Sequence, residues 1–175
     1  LVVSAYDNLN QSEQALAFMA EHYEQKPRDI RTAMIYAERI IGNDKSKAIT
    51  LYKEMLKVVP DNFVVLNNLA YMYFEQGKLK DAEPLARRAV KVQPKNPEAI
   101  DTLAQILKQQ NQSAEALRNY KQLDMQKIRS DLVYLNYVEL LIEHGQQALA
   151  KRRLESRTFT QAKNQARADE LKQKL

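Results

Sequence analysis

An all-α solenoid, a right-handed superhelix of antiparallel helix pairs with a C-terminal capping helix, is the fold class the sequence predicts. Three observations lead there. Ala48, Ala82, Ala116 and Ala150 stand 34 residues apart, with Ala15 lying 33 before the first, and a fixed period of about 20 to 50 residues marks stacked repeats. Five residues before each alanine comes Asn10, Asn43, Gly77, Asn111 or Gly145, residue types that tolerate a left-handed backbone and so mark turns. Only 3 Gly and 5 Pro occur in 175 residues rich in helix formers, and no segment supports a sheet.

The elements follow in chain order as one array over 1–175. Residues 1–29 form a partial repeat that ends at Pro27, and Leu1 opens inside a helical pattern, which predicts preceding repeats and an uncapped apolar face suited to self-association. A repeat over 30–62 starts at the capping residue Asp29, carries Ala33, Tyr36, Ala37 and Ile40 and then Ala48, Leu51, Tyr52 and Met55, and stops at Pro60. One residue is lost near Gly42, which accounts for the interval of 33.

The repeat over 63–96 is capped by Asn62 and shows Leu66, Leu69, Ala70 and Tyr73 at i, i+3, i+4, i+7, then Ala82, Leu85, Ala86 and Ala89 before Pro94. In the repeat over 97–130, Asn96 and Pro97 give a cap with proline at the first helical position, followed by the stripe Ile100, Leu103, Ala104, Leu107, and Ile128 takes the place of the closing proline. A truncated repeat over 131–157 begins at Ser130 with Tyr134, Tyr137, Val138 and Leu141. The capping helix over 158–175 sets Phe159, Ala162, Ala166 and Leu171 against a polar face of Lys163, Asn164, Arg167, Glu170, Lys172 and Lys174. The periodic alanines suit close approach of two helix axes, where a larger side chain does not fit.

The chain has no Cys, which excludes disulfides and thiolate chemistry, and its apolar runs fall far short of the roughly 20 residues that span a bilayer. His22 and His144 form no metal-binding pair, the acids Asp169 and Glu170 face different ways, and neither a phosphate loop nor a nucleophile elbow occurs. The sequence therefore predicts no enzyme, no metal and no cofactor.

The unit from Phe63 to Asn96, with LNNLAYMY, Gly77, Ala82, Ala86, Ala89 and Pro94, resembles the tetratricopeptide (TPR) repeat, with Leu66 at the tryptophan position and Ala70 at the glycine position. The resemblance covers residues 1 to about 157 and implies that first helices line a concave groove. The stretch VVLNNLAYMYFEQGKLKDAEPLARRAVKVQPKNPEAIDTLAQIL also resembles the closing repeats of bacterial PEP-CTERM system TPR-repeat lipoproteins, found with exopolysaccharide and protein-sorting loci. That likeness implies a docking or assembly role in an envelope export system and a periplasmic or outer-membrane-attached location. The residues alone leave the compartment open, with the cytoplasm as the alternative.

The implied groove contains Asn67, Tyr71 and Phe74, then Asp101, Gln105 and Lys108, then Leu135 and Glu139, flanked by Val64, Glu98, Leu132 and Ile142. The mixture suits a protein or peptide held by apolar anchors and oriented by hydrogen bonds, with Tyr71 and Phe74 as anchors. Their alternative role is packing between repeats. The Lys, Asn and Arg set of the chaperone-tail clamp is not seen. Net charge is +5, yet Lys78, Lys80, Arg87, Arg88 and Lys91, and Lys151, Arg152 and Arg153, fall mainly on second helices. These read as solvated outer faces, so nucleic acid is not the expected partner.

Overall fold

The computed structural model describes residues 11–175. The turn expected at Asn10 and the uncapped face expected at Leu1 lie outside the described residues. Among those described there are ten helices and no strand: α1 (Ser12–Gln25), α2 (Ile30–Ile40), α3 (Lys45–Val58), α4 (Phe63–Glu75), α5 (Leu79–Val92), α6 (Pro97–Gln109), α7 (Ser113–Tyr120), α8 (Asp131–Glu143), α9 (Gln147–Glu155) and α10 (Ala162–Lys172). None is long and apolar enough to cross a membrane.

Each helix from α1 to α9 packs on the next, and contacts that skip one helix join α4 to α6, α6 to α8 and α8 to α10. The first helices of successive pairs thus form a continuous inner row, the arrangement that makes a solenoid. The periodic alanines sit where the packing requires small side chains: Ala15, Ala48, Ala82, Ala116 and Ala150 are all fully buried. Larger side chains fill the adjoining layer, with Tyr52, Met55, Leu69, Leu107 and Tyr120 completely or almost completely enclosed.

Helix starts follow the capping residues. Asp29, Asn62, Asn96 and Ser130 each accept a hydrogen bond from a backbone N–H of the first turn, satisfying donors that have no partner inside the helix. Helix ends follow the turn residues with one exception. Gly77, Asn111 and Gly145 adopt φ of 70°, 63° and 69°. In each case the following residue's N–H reaches back to the carbonyl five positions earlier, Lys78 to Tyr73, Gln112 to Leu107 and Gln146 to Leu141, which is the Schellman closure. Asn43 does not take a positive φ. There Asp44 N–H reaches Ile40 O at 2.7 Å, a span of four, because the residue lost near Gly42 is the one that would have turned left-handed.

Two further features depart from the sequence reading. α7 stops at Tyr120, well before the point at which the equivalent α5 stops, and the chain over 121–130 becomes a compact loop that buries Met125 and Ile128. Asp124 nucleates that loop by accepting from the Gln126 N–H. In α10, Ala162 and Ala166 are exposed, whereas Asn164 and Arg167 turn inward beside the buried Ala168 and Leu171. The reason is the polar surface of α8: Asn164 bonds Asp131, and Arg167 bonds Asn136 and Glu139.

Candidate functional site

The inner row of α4, α6 and α8 places the expected groove residues in three successive tiers. In the first tier Tyr71 is 46% exposed, and its ring lies 6.1 Å from that of Phe74 at a tilt of 43°. Phe74 itself is half-buried against the core. The pair thus divides its roles, with Phe74 packing inward and supporting a Tyr71 ring open to solvent. Partial burial, and then the negative charge of Glu75, push the Tyr71 hydroxyl above its ordinary pKa, so it stays a neutral hydrogen-bonding group at neutral pH. Asn67 beside it has a side-chain oxygen that is buried and has no hydrogen-bond partner.

The second tier is largely engaged within the chain. Asp101 lies between helices, where the Tyr120 hydroxyl and the Asn136 amide both donate to its Oδ1. Desolvation raises its carboxyl above the usual carboxylate range, although those bonds oppose the shift. Gln105 is half-buried next to this group. Lys108 is ion-paired to Glu139 at 3.0 Å and to Glu143 at 2.8 Å. Burial would lower its pKa, but the two carboxylates outweigh that and raise it.

The third tier corrects the sequence reading. Leu135 is fully buried within the apolar core and offers no surface to a partner. Glu139 is held between Lys108 and Arg167. Its carboxyl is lowered by Lys108 and Arg167 despite desolvation. Asp101, Leu135 and Glu139 therefore join repeats to one another, and Tyr71, Gln105 and the edges of Phe74, Asn67 and Lys108 are left on the open face. Leu132, at the outer end of α8, is 56% exposed.

Two participants were missed from the sequence. Lys45, on a second helix, reaches the inner row and pairs with Glu75 at 3.0 Å. Arg167 adds a cation to this face through its contacts with Asn136 and Glu139. No pattern announces either, since both contacts depend on how helices far apart in sequence align. Asn68 ties α4 to α3 by donating to the Tyr52 hydroxyl at 3.2 Å. His22 is only half-buried and lies 2.8 Å from Asp29, while His144 is exposed. On the outer surface Arg87 is matched by Glu83 and Glu115, and Arg88 by Asp61.

Comparison with known proteins agrees with this architecture. The tetratricopeptide repeat family model matches residues 43–106. Among solved structures the chain is similar to PilF of Pseudomonas aeruginosa, at 18% identity, covering 98% of this chain and 80% of that one, with a TM-score of 0.78. It is also similar to MamA of Desulfovibrio magneticus RS-1, at 14% identity, with 98% and 92% coverage and a TM-score of 0.71. A thermophilic TPR protein of Thermus thermophilus matches at 14% identity, with 97% and 95% coverage and a TM-score of 0.71. At these identities the likeness is one of fold. The BBSome complex member bbs-4 of Caenorhabditis elegans is 32% identical over 78 residues, which are 45% of this chain and 17% of that protein, so the match spans only a small part of that relative.

Proposed function

We propose that this chain, a tetratricopeptide-repeat protein, is a non-catalytic scaffold that holds a polypeptide on the concave face formed by α4, α6 and α8. TPR proteins as a class are protein–protein interaction scaffolds, and the reading for this chain rests on one observation. Tyr71 is a large exposed aromatic side chain on the inner row, backed by Phe74. An aromatic ring held by packing loses little entropy on binding and serves as an anchor. The amide of Gln105 would orient the peptide backbone. With Lys108 already paired to two carboxylates, an acidic tail is not the favoured ligand.

Panning a random peptide display library on the chain tests this. Selected peptides should lose about tenfold or more in affinity on Tyr71→Ala with Phe74→Ala, as expected for removal of an aromatic anchor, while the helical circular dichroism is unchanged. Selected peptides that bind the double variant equally well would place the binding face elsewhere.

The likeness of residues 64–107 to the lipoprotein repeats favours a second reading, a docking arm in an envelope polysaccharide or protein-sorting assembly. A signal peptide with a lipid-attachment cysteine in the gene upstream of Leu1 would support it, and an ordinary cytoplasmic start there would remove it.

A further inference from the structure

The early end of α7 leaves a notch on the outer side of the array, between the loop over 121–130 and α9. Met125 and Gln126 form one wall, Tyr134 the floor, and Arg152 and Arg153 the other wall. Three arginines reach this notch, and they are not equivalent.

Arg157 is fully employed. Its guanidinium donates to Asp131 Oδ1 from Nε at 2.9 Å and Nη2 at 2.6 Å, and to the carbonyls of Ile128 and Arg129, both at 2.7 Å. It also lies 4.5 Å from the Tyr134 ring centroid. Its charge is matched and its role is to fasten α9 to the loop.

Arg152 and Arg153 differ. Neither has a carboxylate within 4 Å among the described residues, and no carboxylate lines the cleft. The Arg153 Nε is buried with no hydrogen-bond partner, one of two such side-chain atoms among the described residues. Asp124, the nearby acid on the loop, is held by Lys127 at 3.1 Å. Asp124 and the Tyr137 hydroxyl also act on the Arg153 guanidinium, but the buried Nε is left without an acceptor, which is costly, and two guanidinium groups facing one cleft add mutual repulsion. On the same outer surface, Arg87 and Arg88 each have carboxylate partners, so the arginines here are not simply repeating the pattern of the other helices.

We propose that this cleft binds a phosphate group, carried either by a small soluble molecule or by a lipid headgroup. Two guanidinium groups in one cleft present planar forks that match phosphate oxygens, and two positive charges in a cleft lined by no carboxylate match a dianion better than a single carboxylate. The Gln126 side chain, on the opposite wall, would supply a neutral donor.

The full chain is titrated with inorganic phosphate at constant ionic strength, with the backbone amide resonances of Gln126, Arg153 and Ser156 as the readout. Saturable shifts are expected, weakened about tenfold or more in Arg152→Ala, in keeping with loss of one charge-assisted bond, and unchanged in Arg87→Ala. Arg152 is exposed, so this variant keeps the fold, and Arg153→Lys, which retains the buried stem, is expected to weaken binding comparably. Non-saturating shifts, equal shifts with acetate, or an unchanged response in Arg152→Ala would overturn the proposal. Cosedimentation with vesicles of phosphatidylcholine with and without phosphatidic acid separates the sources: binding to the acidic vesicles that Arg152→Ala abolishes identifies a headgroup, and saturable phosphate binding without vesicle binding identifies a soluble ligand.

Discussion

The side-chain amide of Asn136 donates to Asp101 Oδ1 at 2.8 Å, across the contact between α8 and α6. The same oxygen accepts from the hydroxyl of Tyr120, a side chain that is completely buried on α7. One carboxylate thus fastens three helices of two successive pairs, and it does so in a desolvated position that raises its own pKa. The arrangement fixes the relative placement of neighbouring repeats and so the shape of the concave face.

Because the folded pKa of Asp101 lies above the unfolded value, its contribution to stability is fully present below about pH 4, the unfolded carboxylate value, and is lost as pH rises through the folded pKa. Asp101→Asn keeps the acceptor and should remove this dependence. Asp101→Ala leaves the Tyr120 hydroxyl and the Asn136 amide without an acceptor and should cost about 2 kcal/mol or more. Urea unfolding across pH 4 to 7 distinguishes the two variants, and identical pH slopes for the parent and the Asn variant would contradict the assignment.

Arg157 fastens the loop over 121–130 to the end of the array through Asp131, two carbonyls and the Tyr134 ring. Arg157→Ala is expected to lower unfolding free energy by about 2–3 kcal/mol, since a partly buried Asp131 and two carbonyls lose their donor. Lysine cannot present a planar fork, so Arg157→Lys should recover less than half of the loss. Chemical denaturation of both variants gives the comparison.

The turns make a backbone prediction. Gly77 has φ of 70° and Gly42 has no positive φ, although a Cβ at either site would meet no neighbouring atom within 4 Å. Gly77→Ala should therefore destabilise by about 1–2 kcal/mol through the left-handed strain alone. Gly42→Ala should be neutral or stabilising by up to about 1 kcal/mol, because it restricts only the unfolded chain. Thermal denaturation of the pair isolates conformation from packing.

Asp29 caps α2 and accepts from His22 and Thr32, both at 2.8 Å, which lowers its carboxyl to about 2. A depressed carboxyl contributes stability above its unfolded value near 4, lost as pH falls towards 2. Asp29→Asn should flatten acid unfolding of the N-terminal pair in this window, as followed by the amide resonances of α1 and α2. An acid transition unchanged by the substitution would show that the cap carries no such linkage.

Much of the solenoid was legible in the sequence because a repeat states its local rules several times over. Alanine where helix axes approach, a turn residue five positions earlier and a capping side chain at each start all depend on near neighbours along the chain. The lost residue near Gly42 was legible for the same reason, as a break in phase, and the structure adds that the missing position is the left-handed one. The site was less legible. Tyr71 could be placed on the inner row by counting, but its exposure depends on what the neighbouring helices cover.

Periodicity by itself thus determined the helix pairs and their turns. Tertiary structure alone decided which of those residues remain available. Asp101 and Leu135 occupy equivalent positions in successive repeats, yet one is held by Tyr120 and Asn136 and the other is enclosed in the apolar core. The same holds for Arg167, drawn inward by Asn136 and Glu139, and for the notch beside Arg153 that opens where α7 stops. The physical reason is range: helix propensity and capping act over a few residues, whereas desolvation and charge pairing are set by side chains brought together from about 20 to 35 positions away.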